Sequence, residues 1–192
     1  AYFDLSIDKK REYRFRVGQS KIPFGFENLQ SSQNRLTLDR NDAINSAAAN
    51  ERDLGVFFYW APEEIRERFA MLVKDGYKGS GDYGVFAFGA YNGQTSNKSE
   101  ANRNLHVVTR VTYPFVIGNQ IIEPGLQAYT GKWAFTNELS TGVTTPDKQY
   151  TLDQRVGATF VLYPKPFGIQ TEYNIGKGPR YDKVTNSVQV SD

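Results

Sequence analysis

An all-β fold, an antiparallel up-and-down transmembrane β-barrel, follows from three observations. Stretches of period-two alternation recur along the chain. The connections between them alternate between long and short. Aromatic residues and glycine are abundant: 12 Tyr, 13 Phe and 17 Gly in 192 residues, as expected of long strands with aromatic girdles. A secreted β-rich binding domain shares the composition but has no physical reason to sort its loops by side.

Hydropathy sets a bound on this fold. The hydrophobic fraction is 39% and mean hydropathy is −0.55. Apolar runs such as Val56-Phe57-Phe58-Tyr59-Trp60 fall far short of the ~20 residues of a spanning helix. Transmembrane strands alternate, so hydropathy averages them away. The absence of cysteine excludes thiol nucleophiles and zinc–thiolate sites. A net charge of +2 is too small to indicate a nucleic-acid partner. Ala1-Tyr2-Phe3-Asp4 opens straight into a strand pattern, so a leader was removed or the chain begins inside a longer protein.

The first strand alternates Phe3, Leu5 and Ile7 with Asp4, Ser6 and Asp8. Lys9-Lys10-Arg11 turns the chain, and Tyr13–Gln19 returns with Tyr13, Phe15 and Val17 against Arg14 and Arg16. The two form a hairpin that sets Asp4 and Asp8 near Arg14 and Arg16. Their polar face is either a cross-strand ion-pair ladder in solvent or the wall of an aqueous lumen. The connection from Ser20 to Asn50 far exceeds the usual loop of about 4–6 residues and holds a helix-like patch at Asn41–Ala49. It is either a surface loop or one folded into a barrel to narrow the pore. Strands are expected at Leu54–Ala61 and, after Pro62-Glu63-Glu64, at Ile65–Lys74, with Phe69, Met71 and Val73 on one face. More follow at Tyr83–Tyr91, across Asn104–Phe115, at Ile121–Phe135, at Tyr150–Tyr163 and at Phe167–Ile175. Long loops at Ser20–Asn50, Lys78–Asp82, Asn92–Arg103 and Asn137–Lys148 alternate with short turns at Lys9–Arg11, Pro62–Glu64, Gly118–Gln120 and Pro164–Pro166. Outer-membrane barrels show this asymmetry. The total is eight or nine strands, with a trailing segment from Tyr181 to Asp192.

Enzyme chemistry finds little footing. His106 is the only histidine and sits on a polar strand face, without a nucleophile elbow or metal-ligand spacing. Gly176-Lys177-Gly178-Pro179 lacks the Ser/Thr and helix of a P-loop. A glycosidase would need two carboxylates converging from among Glu51, Asp53, Glu123 and Glu172. The arginines are more informative. Arg14, Arg16, Arg52, Arg66, Arg68, Arg110 and Arg155 lie on or beside inferred strands, and Arg35 and Arg40 lie in the long connection. Where alternation is clear the opposite face is apolar. Arginine facing lipid costs ~2–4 kcal/mol at the midplane, so these side chains point inward. Guanidinium forks suit phosphate or carboxylate.

The string Gly18-Gln19-Ser20-Lys21-Ile22-Pro23-Phe24-Gly25-Phe26-Glu27, the pair Ser31-Ser32, the string Glu51-Arg52-Asp53-Leu54-Gly55-Val56 and the late run Glu172–Asp182 resemble the phosphate-selective porin O/P family of bacterial outer-membrane channels. The resemblance implies passive diffusion of phosphate-like anions through an arginine- and lysine-lined lumen, in the outer membrane of a Gram-negative bacterium. It implies outer-membrane lipid and small anions as partners, a homotrimer, no cofactor, no metal and no catalysis. It also implies a larger barrel of roughly 16 strands, within the range of such barrels, of which residues 1–192 form one central segment. The expected anion pathway consists of Arg14, Arg16, Lys21, Arg35, Arg40, Arg52, Arg110 and Arg155. Inward acids (Asp4, Asp8, Glu172) partly neutralise it, so other anions or small organic solutes fall within its reach. The rival reading is a secreted β-sandwich or soluble barrel that binds a ligand or glycan.

Overall fold

Among the described residues, ten strands form one antiparallel sheet in which chain neighbours are sheet neighbours. The computed structural model describes residues 1–37, 39–48, 50–96, 102–134, 150–182, 184–185 and 187–191. The strands are β1 (Tyr2–Ser6), β2 (Tyr13–Lys21), β3 (Arg52–Trp60), β4 (Phe86–Tyr91), β5 (His106–Thr112), β6 (Phe115–Ile117), β7 (Gln120–Ala134), β8 (Tyr150–Leu162), β9 (Ile169–Asp182) and β10 (Ser187–Ser191). Their order is β1-β2-β3-β4-β5-β7-β8-β9-β10, with β6 also on β7. Because β5 and β6 pair with β7 in one register, they are a single strand interrupted at Pro114, which has no amide hydrogen for a ladder. The sheet is up-and-down, as its alternation predicts, and is not closed.

Register separates the two faces. One row runs Leu5, Phe15, Phe58, Phe88, Thr109, Ala128, Val156 and Ile175 across eight strands. This outer face stays open: Leu126 is 65% exposed and Tyr173 67%. The adjacent row runs Asp4, Arg16, Phe57, Gly89, Val108, Tyr129, Arg155 and Gly176, and its Arg16, Phe57, Val108 and Tyr129 are buried.

The long connections cover this inner face. The 22–51 segment carries helices α1 (Phe26–Leu29) and α2 (Asp42–Ala47), the latter capped by Asn41 Oδ1 on the Ile44 amide. It lays Ile22, Phe24, Ile44 and Ala48 against Phe57, Tyr59, Ala87, Tyr91, Val108 and Tyr129. Burying a side chain of this size stabilises by ~1.5–3 kcal/mol, so the segment is packed structure rather than a surface loop.

One predicted strand is a helix. Ile65–Lys74 lies within α3 (Glu63–Lys74), and Ile65, Phe69 and Leu72 are its buried residues. That spacing is helical. Val73, grouped with Phe69 and Met71 by the period-two reading, is exposed. Arg66 and Arg68 therefore project from a helix. Because α3 and Lys78–Asp82 belong to one connection, residues 61–85, a long segment joins β3 to β4 at the end where only short turns were expected. The strict alternation of loops by side fails there. Elsewhere it holds for the 22–51 and 92–105 connections against the turns at 7–12, 118–119 and 163–168. The Asn137–Lys148 loop lies outside the described residues, as do positions 97–101.

Candidate anion pathway

The first and richest group of charges gathers where β2 ends and β3 begins. Lys21, the last residue of β2, pairs in register with Arg52, the first of β3. Its Nζ donates to the Asn28 and Gln30 carbonyls at 2.8 and 2.5 Å and lies 3.3 Å from Glu51 Oε2. Arg35 donates to Glu51 Oε1, and Arg40 Nε stands 3.7 Å from the same oxygen. Arg40 is oriented by the Asn28 side chain at 2.9 Å and the Ala48 carbonyl at 3.0 Å. Three cations thus share one carboxylate. Burial raises the Glu51 pKa, but the Arg35 hydrogen bond and the Lys21 charge outweigh it and hold the carboxyl below its ordinary range. Burial lowers the Arg40 pKa.

Glu51 is delivered by an unusual backbone. Asn50 and Glu51 have φ of 60° and 62°, a left-handed pair of non-glycine residues. Each such residue costs about 1–3 kcal/mol and persists only where its surroundings over-determine it. Here they do: Glu51 N donates to Ala48 O and Ile22 N to Glu51 O, at 3.0 and 3.1 Å.

Beside the group opens a cavity of about 430 Å³ lined by Arg16, Lys21, Glu51, Arg52, Ser31 and Ser32 among others. Arg52 is exposed. Arg16 enters from the inner wall. Its guanidinium is held by a bidentate contact with Asp4 at 2.7 and 2.8 Å and lies 4.0 Å over the Tyr2 ring. Of Asp4 and Asp8, both expected near Arg14 and Arg16, Asp4 therefore meets Arg16. Asp8 does not join it. Its carboxylate accepts the Glu12 and Tyr13 amides and caps its own turn, while Arg14 reaches Asp82 at 2.6 Å. Arg66 shares that aspartate at 2.9 Å, and Arg68 donates to the Pro114 carbonyl.

Arg110 and Arg155 occupy a second region, farther along the sheet. Arg110 is 2% exposed and lies 3.3 Å from Glu123, whose carboxylate also accepts the Thr112 and Tyr163 hydroxyls. The guanidinium and its carboxylate are both enclosed by the protein. Arg155 donates to the Tyr129 hydroxyl at 3.0 Å and to Ser46 Oγ of α2 at 2.9 Å. With Phe24 against Tyr129 at 5.0 Å and the Glu172 carboxylate on the Glu27 amide, it pins the long connection to the opposite wall. His106 is expected on a polar strand face. It faces inward but is 1% exposed, between the Tyr91 and Tyr129 rings. Gly93 and Gly131 make room for it, since a Cβ at either would overlap its ring.

Of the eight expected residues, then, Arg16, Lys21, Arg35, Arg40 and Arg52 come together, Arg14 is engaged by Asp82, and Arg110 and Arg155 stand apart. Residue-level reasoning missed Glu51 as the hub, although three consecutive charges at the loop's exit, Glu51-Arg52-Asp53, were a signal. It also missed Asp82. The four carboxylates from which an enzyme would draw a converging pair have separate engagements: Glu51 and Asp53 line separate cavities, Glu123 serves Arg110, and Glu172 serves the Glu27 amide. No cluster of three or more His, Asp or Glu with metal-binding arrangement occurs among the described residues.

No curated protein and no solved structure matches the chain. A family model described as phosphate-selective porin O and P does match, over residues 1–191. With the antiparallel sheet, its bare apolar face and the cationic inner group, this places the chain in the phosphate-selective porin O and P family.

Proposed function

We propose that the chain forms wall and constriction of an outer-membrane porin through which anions diffuse passively along Arg16, Lys21, Arg35, Arg40 and Arg52. The observation that carries this reading is the cavity of about 430 Å³ at the inner face, where Arg16, Lys21 and Arg52 meet the hydroxyl-bearing Ser31 and Ser32, with Arg35 and Arg40 held behind it on Glu51. Forked guanidinium donors and hydroxyls match the oxygens of phosphate. Several weak cationic sites in series lower the barrier to entry while still permitting exit.

The membrane setting is supported from the other face. Phe3, Leu5, Val56, Phe88, Val111, Leu126, Val156 and Ile175 are all large apolar side chains left in the open. A contiguous patch of that kind marks a membrane or protein contact. Lipid takes this face, in the outer membrane of a Gram-negative bacterium. Residues 1–192 act as one segment of a larger barrel that assembles as a homotrimer, and no catalysis takes place.

The test is conductance. The full-length protein, inserted in a planar bilayer under a potassium chloride gradient, should reverse on the anion side, and added phosphate should block the chloride current. A channel without anion preference overturns the cationic pathway.

A further inference from the structure

We infer that the Glu51 carboxylate is a tethered counter-anion: it occupies, from within the chain, the place among Lys21, Arg35 and Arg40 that a permeating oxyanion would take, and so sets how tightly the pathway holds its solute. The inference rests on the anion-conducting reading above. It starts from how the two oxygens are used. Oε1 serves Arg35 and faces Arg40 Nε at 3.7 Å, while Oε2 stands 3.3 Å from Lys21 Nζ. That is the arrangement a phosphate would adopt in such a cluster, two oxygens spread over several fixed donors.

Exposure supports the same assignment. The Glu51 side chain is 23% exposed, whereas those of Lys21, Arg35 and Arg40 are 8–9% exposed. The adjacent cavity is lined by Lys21 and Glu51 but by neither Arg35 nor Arg40, so a solute entering it meets the carboxylate before those two arginines and must exchange with it to reach them. The left-handed Asn50-Glu51 backbone aims the side chain, and strain of this kind is concentrated at ligand clamps. A competitor fixed at high local concentration weakens solute binding. For a channel that is useful, because conduction requires sites weak enough to leave.

The experiment compares wild type with Glu51→Gln and Glu51→Asp in planar bilayers, using inorganic phosphate as the probe. Removing a charged competitor of this type should lower the phosphate concentration that half-blocks the chloride current by about tenfold in Glu51→Gln. Glu51→Asp keeps the charge but is one methylene shorter, so it should fall between the two. Should Glu51→Gln fail to insert, a lower half-blocking concentration in Glu51→Asp than in wild type still supports the inference. An unchanged or raised half-blocking concentration in the inserted variants, with wild type anion-selective, overturns the counter-anion and leaves the pathway standing. A wild-type channel with no anion selectivity overturns the pathway itself.

Discussion

Glu123 and Glu51 both hold arginine, and they differ in what surrounds them. Glu123 faces one arginine, Arg110, and two hydroxyls inside a closed wall. Glu51 faces Lys21, Arg35 and Arg40 beside an open cavity that Arg52 also lines. In the wall the charge is matched one to one and shielded from solvent, so it shapes the sheet and offers nothing to a solute. At the mouth of the long connection positive charge is left over, and it meets solvent through exposed Arg52 and through the partly exposed Glu51 carboxylate. Arginine count alone is thus a poor guide to an anion pathway; what matters is which cations retain unspent charge and a route to water.

The largest expected effect breaks the wall pair. Glu123→Gln leaves a buried guanidinium without its counter-ion, a loss of about 3–5 kcal/mol, read as a lower denaturant midpoint for the detergent-refolded protein. Phosphate block should be unchanged in whatever fraction inserts. An altered block at full stability would move Glu123 into the pathway and erase the distinction between the two sites.

A smaller effect sharpens the mouth. Glu51 is held below its ordinary value of 4.5. A depressed carboxyl contributes stability that is present above the unfolded value and lost as pH falls through the folded one. Protease protection of the 22–51 segment should therefore decline as pH falls below about 4.5, and this decline should flatten in Glu51→Gln. A decline of equal size in the variant would assign the effect to other carboxyls.

Much of the fold was legible because strand periodicity is local. The alternation of Tyr13, Phe15 and Val17 with Arg14 and Arg16 placed both arginines on the inner face, and the hairpin was enough to set Asp4 near them, where it meets Arg16. The helix α3 was misread because Phe69, Met71 and Val73 happen to alternate, while the competing set Ile65, Phe69 and Leu72 fits a period of 3.6. That error propagated to the loop pattern. The partners of Arg14 and Arg35 were illegible for a different reason. Asp82 lies 68 residues from Arg14 and reaches it only because the connection carrying α3 folds back. Glu51 becomes a hub only once the 22–51 segment packs down through Phe24 and Ile44.

The central claim, that the cations around Glu51 carry the anions, is tested most directly by the reversal potential of an Arg35→Gln/Arg40→Gln double variant. In a potassium chloride gradient the wild-type channel should reverse on the anion side, and the double variant should shift toward zero with phosphate block weakened. A double variant that inserts normally and keeps the wild-type reversal potential would contradict the claim.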